Sequence, residues 1–284
     1  MPLADPQNAD PQNADPQNAD PLNAEAIRTG LAAHDEELNV EVCERCTSTN
    51  TELLQRGDTE IPALLVTEEQ TAGRGRRGRR WYADPGSALM FSLRWQFAGP
   101  PARLRGLSLA TGVGIAHALR AIGAQNLTLK WPNDVLSGNA KLGGMLIETR
   151  ASAGRIAAVI GIGINCRRQP GLDRRLKRSI AALEELIDPL PARNAMVARL
   201  AAELARTMRM FDARGLAAFR SEWESMHAQQ GKPMRVRIAE GRVIAGVAEG
   251  IAEDGSLLLR NRLGVRTITS GTVLRSDAQH TRAA

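Results

Sequence analysis

The feature that most constrains the fold is a basic loop at residues 73–81, "GRGRRGRRW", which lies between two strand patterns. An apolar run leads into the loop at residues 61–68, and residues 87–97 follow it with the alternation of a strand. The loop fits the spelling G-x-G-x-x-G, but a dinucleotide-binding fold starts a helix inside that motif. Pro85 and Gly86 stand where the first helical turns would be. The sequence therefore argues against a dinucleotide site of this kind, and it contains no G-x-x-x-x-G-K-S/T phosphate loop.

The order of the predicted elements favours an α+β fold. Strand patterns and one long helix pattern fill the first half of the chain, and helix patterns follow in the second half. This order differs from the regular strand–helix alternation of a doubly wound sheet. The predicted strands lie at residues 39–46, 61–68, 87–97, 127–131, 134–150 (a hairpin that turns at Ser137-Gly138-Asn139) and 155–166, and the predicted helices at 24–34, 49–56, 104–122, 178–187, 194–213 and 215–228.

The composition divides the chain into four parts. Residues 1–24 repeat "ADPQN" every five residues, and because Pro and Asn oppose both helix and strand, we expect a disordered leader. Residues 25–230 form the predicted main domain. Residues 231–277 have short alternating strands broken by "EG", "EDG" and "RLG" turns, which predicts a small SH3-like β-barrel. Residues 278–284 are a short tail.

The charge of the chain favours an anionic ligand. The formal net charge is +6 and the isoelectric point is about 9.9. Only four of the 37 basic residues are Lys: Lys130, Lys141, Lys177 and Lys232. Because an ammonium is a compact point charge and a guanidinium is a wide planar fork, a Lys in such a chain can mark a site where Arg does not serve. Chance survival in an Arg-rich composition explains these residues equally well.

The five Arg of the basic loop deliver their charge to one place. A nucleic-acid-binding Arg/Gly tail would be longer, repetitive and disordered. In a loop between two strands, Arg side chains can bind phosphate oxygens in pairs, each bond worth about 1.5–3 kcal/mol when well aligned. A solvated loop without a ligand is the other interpretation.

The cysteines and the N-terminus bear on the compartment. "CERC" at residues 43–46 is a single C-x-x-C without a second Cys or His pair, whereas a structural zinc site needs four ligands. We therefore expect Cys43, Cys46 and Cys166 to be mostly reduced thiols. The N-terminus lacks the basic and apolar regions of a signal peptide, and the longest apolar runs are too short for a bilayer. These features predict a cytoplasmic protein without a membrane segment.

Five motifs in one order carry a family resemblance. They are "STN" at 48–50, "EQTAGRGRRGRRW" at 69–81, "KWPND" at 130–134, "KLGGMLIE" at 141–148 and "GIGIN" at 161–165. Together they resemble the catalytic core of biotin protein ligase, and the resemblance covers about residues 45–277. The fold that it implies is a mixed-sheet, biotin/lipoate ligase-like catalytic domain with helices on one face, followed by the SH3-like β-barrel.

The resemblance implies a two-step reaction with ATP and biotin as substrates and Mg²⁺ as the ion that accompanies ATP. The biotin carboxylate attacks the α-phosphate to give biotinyl-5′-AMP and pyrophosphate, and a lysine of a biotin carboxyl carrier domain then attacks the acyl-adenylate. A carboxylate is repelled by a triphosphate, so clustered positive charge agrees with the first step. Closure of the loop would exclude water from the mixed anhydride.

The resemblance also assigns the site residues. Lys141 would bridge the biotin carboxylate and the α-phosphate, Arg76 would retain the adenylate, and Asp134 would lie near the phosphates and assist the acceptor lysine or Mg²⁺, with no side-chain cluster for a metal. The residues assigned to biotin are Ser48, Thr49, Asn50, Gln70, Arg74, Gly75, Arg76, Lys141, Gly143 and Gly144. In the alternative interpretation, Ser48 to Asn50 only cap a helix. The residues assigned to ATP or the adenylate are Arg76, Arg79, Trp81, Asn133, Asp134, Lys141, Asn165 and Arg275.

Two departures from the family pattern bear on partners. Family members that act as repressors carry a helix-turn-helix domain before the core, whereas mostly the "ADPQN" repeat precedes Ser48 here, so we expect no DNA binding. The chain also has no M-K-M acceptor signature, so it would modify a carrier rather than be one. We expect a monomer or a weak homodimer.

Two other functions stay open as alternatives. A lipoate or octanoate ligase or transferase shares the fold, but such enzymes generally lack an Arg/Gly loop followed by Trp. A basic nucleic-acid-binding module is the non-enzyme alternative. The 3% content of aromatic residues weakens it, because single-stranded nucleic acid is usually bound by stacking on aromatic side chains.

Overall fold

The computed structural model describes residues 20–57, 61–152 and 154–274. Its helices and strands follow the predicted order at most positions. The helices are α1 (Ala24–Ala32), α2 (Thr49–Gln55), α3 (Leu107–Ala121), α4 (Leu172–Leu176), α5 (Arg193–Arg214) and α6 (Arg220–Ser225). The strands are β1 (Asn39–Cys46), β2 (Ala63–Gln70), β3 (Ala88–Ala98), β4 (Leu127–Lys130), β5 (Asp134–Ser137), β6 (Ala140–Ser152), β7 (Arg155–Asn165), β8 (Pro233–Arg237), β9 (Val243–Ile251), β10 (Leu257–Asn261), β11 (Gly264–Ile268) and β12 (Thr272–Val273).

A seven-stranded sheet forms the centre of the main domain, in the order β1-β2-β3-β7-β6-β5-β4. β1 and β2 run parallel, and each of the other neighbouring pairs is antiparallel. β3 and β7 lie in the middle and pair over their whole lengths, from Ala88 opposite Asn165 to Ala98 opposite Arg155. The sheet is therefore mixed, which confirms the predicted α+β class.

The side chains of β2 show how the two faces of this sheet are covered. Leu64 and Val66 belong to the large core that α1, α3 and α5 complete, whereas Ala63 and Leu65 pack with Leu53 of α2. Successive side chains of a strand point to opposite faces, so a strand that is apolar at consecutive positions must be covered on both. The long helices share one face, as expected, and the short α2 lies on the other.

The last residues of the predicted leader contact the main domain. Leu22 is buried, and its backbone N–H donates to Glu68 Oε1 at 2.9 Å. Arg193, at the start of α5, forms an ion pair with Glu68 at 2.6 Å and donates from Nε to the Asp20 carbonyl at 3.0 Å. The packed part of the chain thus includes residues that the sequence placed in the leader. The rest of that leader, residues 1–19, lies outside the described residues.

The helix predicted at residues 178–187 is wrong. Ile180 forms a parallel bridge with Lys141 at the start of β6, and only a short 3₁₀ turn follows. The spacing of apolar residues suits a helix. Hydrogen bonds with β6 satisfy the backbone polar groups instead, since Lys141 N–H donates to the Ser179 carbonyl at 3.0 Å. Residues 179–181 are therefore extended beside the start of β6.

The other differences concern the lengths of helices. The helix predicted at 215–228 forms as a 3₁₀ turn, Gly215–Ala218, followed by α6, and α4 has no counterpart among the predicted helices. Gly215 ends α5 with a φ of +61°, which glycine adopts without steric cost. Among the described residues, no helix combines the length and apolarity that a membrane span requires.

The C-terminal part is a five-stranded antiparallel sheet in the order β11-β10-β9-β8-β12. β11 and β12 are its edges, so the predicted barrel is not closed in the described residues. Val236 of β8 and Leu259 of β10 face inward and join the main core. Trp131 donates its indole N–H to the Gly255 carbonyl at 3.1 Å, which ties the sheet to the turn after β4.

Candidate active site

A cavity of about 1330 Å³ lies between the seven-stranded sheet and the C-terminal sheet. Its walls come from α2, the basic loop, the turn after β4, the start of β6 and parts of β8, β9 and β12. Within residues 20–57, 61–152 and 154–274, every residue that the sequence assigned to the site lines this cavity except Gly143. Arg275 lies outside the described residues.

The start of α2 forms one wall of the cavity. Ser48 occupies the N-cap position in an extended conformation, but its side chain makes no capping hydrogen bond. The backbone N–H of Thr49 donates to Gln70 Oε1 at 3.0 Å, so the last side chain of β2 holds the first turn of the helix. Ser48 thus has the position of a helix cap without its hydrogen bond, and the residue lines the cavity.

Asn50 is fixed by protein groups on both sides of its amide. Its Nδ2 donates to the Leu146 carbonyl at 3.1 Å and to Glu148 Oε2 at 3.0 Å, while its Oδ1 lies 2.6 Å from Ser92 Oγ. A Cβ at Gly161 would lie 2.2 Å from that Oδ1, so glycine is needed there. Both amide protons are therefore used within the protein, and the geometry favours a role for Asn50 in shaping the pocket.

The basic loop folds back on itself. The N–H of Gly75 donates to the Arg79 carbonyl at 2.8 Å, and the N–H of Trp81 donates to the Gly73 carbonyl at 3.0 Å. Arg77 lies at the turn with a φ of +58°, in the left-handed region that few non-glycine residues occupy. The Arg side chains thus leave a compact hairpin-like backbone in different directions.

Three of these side chains anchor the loop. Arg77 donates to Thr272 Oγ1 at 3.0 Å and to Ser270 Oγ at 3.3 Å, and Arg79 donates to the same Thr272 hydroxyl at 3.2 Å. Arg74 binds Glu148 with both terminal nitrogens, at 2.8 and 3.0 Å. The loop is therefore attached to β6 through Arg74 and to the C-terminal sheet through Arg77 and Arg79.

Arg76 is half-buried in the cavity wall. Burial lowers the pKa of Arg76, and the positive charge of Arg77 adds to this effect. Its Nη1 donates to Asn133 Oδ1 at 3.4 Å, and Asn133 in turn donates from Nδ2 to the Met145 carbonyl at 2.8 Å. Because a guanidinium has five N–H donors, most of those on Arg76 remain for an anion that enters the cavity.

Lys141 and Asp134 form an ion pair in the cavity wall. Lys141 Nζ lies 2.5 Å from Asp134 Oδ1, and Arg178 Nη2 lies 3.2 Å from Asp134 Oδ2. Burial lowers the pKa of Lys141, although the Asp134 carboxylate opposes this shift. Burial also disfavours ionised Asp134, but Lys141 and Arg178 outweigh it and hold the pKa of Asp134 below its usual range. Among the described residues, the ammonium that this pair presents to an incoming ligand has one anionic partner, Asp134.

The indole of Trp81 packs on β7 at Gly163. A Cβ at position 163 would lie 2.5 Å from the ring, so this contact needs glycine. Lys141 Nζ lies 5.7 Å from the centroid of the same ring, within the range of a cation–π contact. Trp81 Nε1 is buried and has no hydrogen-bond partner among the described residues. The ring therefore places an apolar surface beside the Lys141 ammonium.

Asn165 and the glycines of β6 contact protein atoms, and their assigned roles toward biotin and the adenylate stay predictions. Asn165 Nδ2 donates to the carbonyls of Lys141 and Ala181, at 3.2 and 3.0 Å, which leaves only its Oδ1 for a ligand. Gly143 faces β7, where a Cβ would lie 2.6 Å from a carbonyl oxygen, and it does not line the cavity. Gly144 lines the cavity, but a Cβ there would lie 2.9 Å from Lys141 Nζ. These glycines make room for protein atoms.

Comparisons with known proteins agree with this geometry. Residues 42–165 match the model of the biotin/lipoate A/B protein ligase family, and residues 231–275 match the biotin protein ligase C terminal domain. The biotin–acetyl-CoA-carboxylase ligase of Mycobacterium tuberculosis is 32% identical over 243 residues, which cover 83% of this chain and 86% of that protein. The chain belongs to the biotin protein ligase family.

Two further matches extend the comparison. The bifunctional ligase/repressor BirA of Escherichia coli is 36% identical over 214 residues, which cover 75% of this chain and 66% of that relative. The chain thus spans about two thirds of the length of this bifunctional relative. The structure of the biotin protein ligase from Aquifex aeolicus in complex with biotin and ATP has a TM-score of 0.71 and 27% identity, and covers 84% of this chain and 99% of that one.

Three residues in this ligase site were missed by the sequence. Ser92 lies 2.6 Å from Asn50 Oδ1 and could have been found as a polar residue in an apolar strand pattern. Glu148, which binds Asn50 and Arg74, is the last residue of the motif "KLGGMLIE". Its place in that motif was the only indication in the sequence that it belongs to the site. Arg178 is one of several Arg after the last motif, and nothing in the sequence distinguishes it from its neighbours.

The described carboxylates, thiols and imidazoles do not form a metal-binding cluster in this site. No group of three or more His, Cys, Asp or Glu side chains converges anywhere in the described part of the chain. Asp134, the carboxylate expected near Mg²⁺, already has one oxygen on Lys141 and the other on Arg178. These residues do not fit a protein-held Mg²⁺.

The C-x-x-C pair lies on β1, just before the start of α2. Cys43, Cys46 and Cys166 are free thiols. A hydrogen bond from Cys46 lowers the pKa of Cys43 to about 6, while the same contact and burial raise the pKa of Cys46. Among the described residues, no further His, Cys, Asp or Glu side chains converge with the pair into a group of three or more.

Proposed function

We propose that this protein activates biotin with ATP and then biotinylates a lysine of a biotin carboxyl carrier domain. In the first step a biotin carboxylate oxygen attacks the α-phosphate of ATP, the bond to the β-phosphate breaks, and pyrophosphate leaves. In the second step the acceptor amine attacks the acyl carbon, the bond to the phosphate oxygen breaks, and AMP leaves. The site residues named for each step below are part of this proposal.

The observation that carries the proposal is the position of Lys141. Its ammonium lines the same cavity as Arg76 and Arg79, is 2.5 Å from Asp134, and lies beside the Trp81 ring. Two anions that must approach each other need positive charge that is already in place, and a point charge can contact a carboxylate and a phosphate at once. We assign Lys141 to the two reacting anions and Arg76 to the phosphate of the adenylate.

The walls around Lys141 supply the binding parts. Ser48, Thr49 and Gln70 line one end of the cavity with hydroxyl and amide groups that suit a polar ring such as the ureido group of biotin. Trp81 adds an apolar surface for the nucleotide or the biotin tail. The basic loop, anchored at Glu148 and Thr272, would keep water away from the acyl-adenylate.

The proposed acceptor, a lysine of a carboxylase carrier domain, follows from the reactivity of an acyl-adenylate and from the names of related proteins. An acyl-adenylate reacts with an amine, and relatives named as biotin–acetyl-CoA-carboxylase ligases point to a carboxylase carrier. Asp134 is the carboxylate nearest to Lys141 and is assigned to the incoming lysine. The lipoate or octanoate enzymes of the same fold are the second candidate, because the matched family model includes both substrate classes.

The test is exchange of labelled pyrophosphate into ATP with biotin, lipoate or octanoate as the acid. We expect exchange with biotin alone, and a loss of at least ~100-fold in Lys141→Ala because the developing charge loses its partner. Lys232→Ala is the matched control, since Lys232 is exposed and does not line the cavity. Exchange with lipoate or octanoate only would move the specificity to the second candidate. No exchange with any acid would contradict both.

A further inference from the structure

Asp134 binds two cations, one on each oxygen. Lys141 contacts Oδ1 at 2.5 Å and Arg178 contacts Oδ2 at 3.2 Å, and all three side chains are largely buried. One cation would balance one carboxylate. The second cation is Arg178, and moving its charge out of water costs free energy. A function for this charge would explain why it is buried beside Asp134.

The backbone fixes Arg178 in this position. Residues 179–181 run parallel to the start of β6, where Lys141 N–H donates to the Ser179 carbonyl at 3.0 Å and Ala181 N–H donates to the Lys141 carbonyl at 2.9 Å. On the other side, Arg178 N–H donates to the Asp173 carbonyl at 3.0 Å. The segment that carries Arg178 is thus hydrogen-bonded to Lys141 itself, so the two cations are held on the same carboxylate.

Lys141 has two incompatible partners in the proposed reaction. Without substrate it is paired with Asp134, but in the first step it must bind the biotin carboxylate and the α-phosphate. If Lys141 leaves, a buried carboxylate loses its nearest cation, which is strongly unfavourable unless another cation remains. The positive charges of Lys130 and Arg76 also act on Asp134. Arg178 is the cation that contacts Oδ2 and stays in place when Lys141 leaves Oδ1.

We propose that Arg178 is a positioning residue that keeps the Asp134 carboxylate paired and in place while Lys141 turns to the anionic groups of the substrates. This inference rests on the proposed function. It predicts that Arg178 acts through Asp134 and Lys141, without contact to biotin or ATP. The rival explanation is that Arg178 binds a phosphate of ATP directly.

The experiment compares three variants in the pyrophosphate exchange assay. Arg178→Met removes the charge, Arg178→Lys keeps it, and Arg174→Met is the matched control, because Arg174 is exposed on α4 and does not line the cavity. We expect kcat to fall about tenfold or more in Arg178→Met with the KM for ATP little changed, and Arg178→Lys to recover most of the rate. Arg174→Met should match the wild-type protein.

Asp134→Asn distinguishes the two explanations. With the carboxylate neutralised, Arg178→Met should cause little further loss, because the residue acts through that carboxylate. Single-turnover formation of biotinyl-AMP with enzyme in excess keeps slow variants measurable. The inference is overturned if Arg178→Met loses as much activity in the Asp134→Asn background as alone, if it raises the KM for ATP at constant kcat, or if it matches wild type.

Two controls separate this inference from the proposed function and from misfolding. Wild-type exchange with biotin is measured first, and its absence would overturn the proposed function instead. Thermal unfolding of each variant shows whether it is folded. If Arg178→Met is unfolded, the comparison of Arg178→Lys and Arg178→Gln decides, and equal rates in those two folded variants would overturn a role for the charge.

Discussion

Single glycines set the distance between side chains in the site. Gly143 and Gly163 sit on neighbouring strands, but an added methyl group would meet different neighbours. At Gly163 it would meet the Trp81 ring at 2.5 Å, and at Gly143 it would meet the Gly163 carbonyl oxygen at 2.6 Å. A ring on a loop can move aside, whereas a paired strand backbone cannot move without loss of its hydrogen bonds. The same substitution should therefore have two different effects.

We predict that Gly163→Ala lowers activity and that Gly143→Ala lowers stability. Gly163→Ala should displace Trp81 from β7 and reduce biotin-dependent pyrophosphate exchange about tenfold, with a small change in Tm. Gly143→Ala should reduce the free energy of unfolding by about 1–3 kcal/mol through overpacking. Gly57→Ala is the control, because a Cβ there meets no atom within 4 Å. Equal effects of the first two variants on Tm would contradict this view.

Helices α3, α5 and α6 meet at an ionised cluster away from the cavity. His117 of α3 lies between two carboxylates: Nδ1 is 3.4 Å from Glu203 Oε1 of α5, and Nε2 contacts Glu222 of α6. Arg206 also binds Glu203, at 2.6 Å. Hydrogen bonds to Glu203 and Glu222 raise the pKa of His117, although burial opposes this shift. When it is charged, the imidazole of α3 therefore binds carboxylates of both α5 and α6.

We predict that this link stabilises the protein only where His117 is charged. Its folded-state pKa is above the ordinary 6.5, so the stabilisation is complete below 6.5 and is lost as the pH rises through the folded-state pKa. His117→Gln should lower the free energy of unfolding by about 0.5–1 kcal/mol near pH 6 and by less near pH 9, as the site is partly exposed. Urea unfolding at both pH values measures this, with His34→Gln on the surface as control. An equal loss at both pH values would rule out the charged imidazole as the cause.

Contacts between residues close in sequence could be predicted from the sequence, and contacts between distant segments could not. Ser48, Gln70 and Lys141 line the cavity as expected, because short motifs next to strands fix where the backbone presents them. The partners of Asn50 and Asn165 could not be predicted, since their amides bind carbonyls of segments distant in sequence. For the same reason, apolar periodicity predicted a helix at 178–187, where a bridge between Ile180 and Lys141 and a short 3₁₀ turn form instead.

At the scale of the whole molecule, the basic loop binds a strand that lies 195 residues later in the chain. Arg77 and Arg79 both bind the hydroxyl of Thr272, and Arg77 also binds Ser270. The C-terminal sheet thereby holds one side of the loop, while Arg74 and Glu148 hold the other. Family resemblance predicted a loop that closes, but it did not identify this partner, which lies on an edge strand outside the motifs.

We predict that Thr272→Val increases the escape of biotinyl-AMP. The substitution keeps the shape of the side chain and removes the acceptor of two guanidinium hydrogen bonds, so released adenylate should rise about three- to tenfold. Biotinylation of bystander proteins mixed with the enzyme measures the release. Thr267→Val is the control, because Thr267 is exposed on β11 and does not line the cavity. If both variants label bystanders equally, the contact with Thr272 does not retain the intermediate.

The position of β12 near the end of the chain also determines when the cavity can be completed during translation. β12 is translated after α2, the basic loop and β6, yet it supplies part of the cavity wall and the hydroxyl that anchors the loop. A ribosome-bound chain that ends before residue 272 would have the arginines and Lys141 but no complete enclosure around them. A reactive acyl-adenylate made by such a chain would diffuse away. If the contact with Thr272 retains the intermediate as proposed, retention begins only after both sheets have been made.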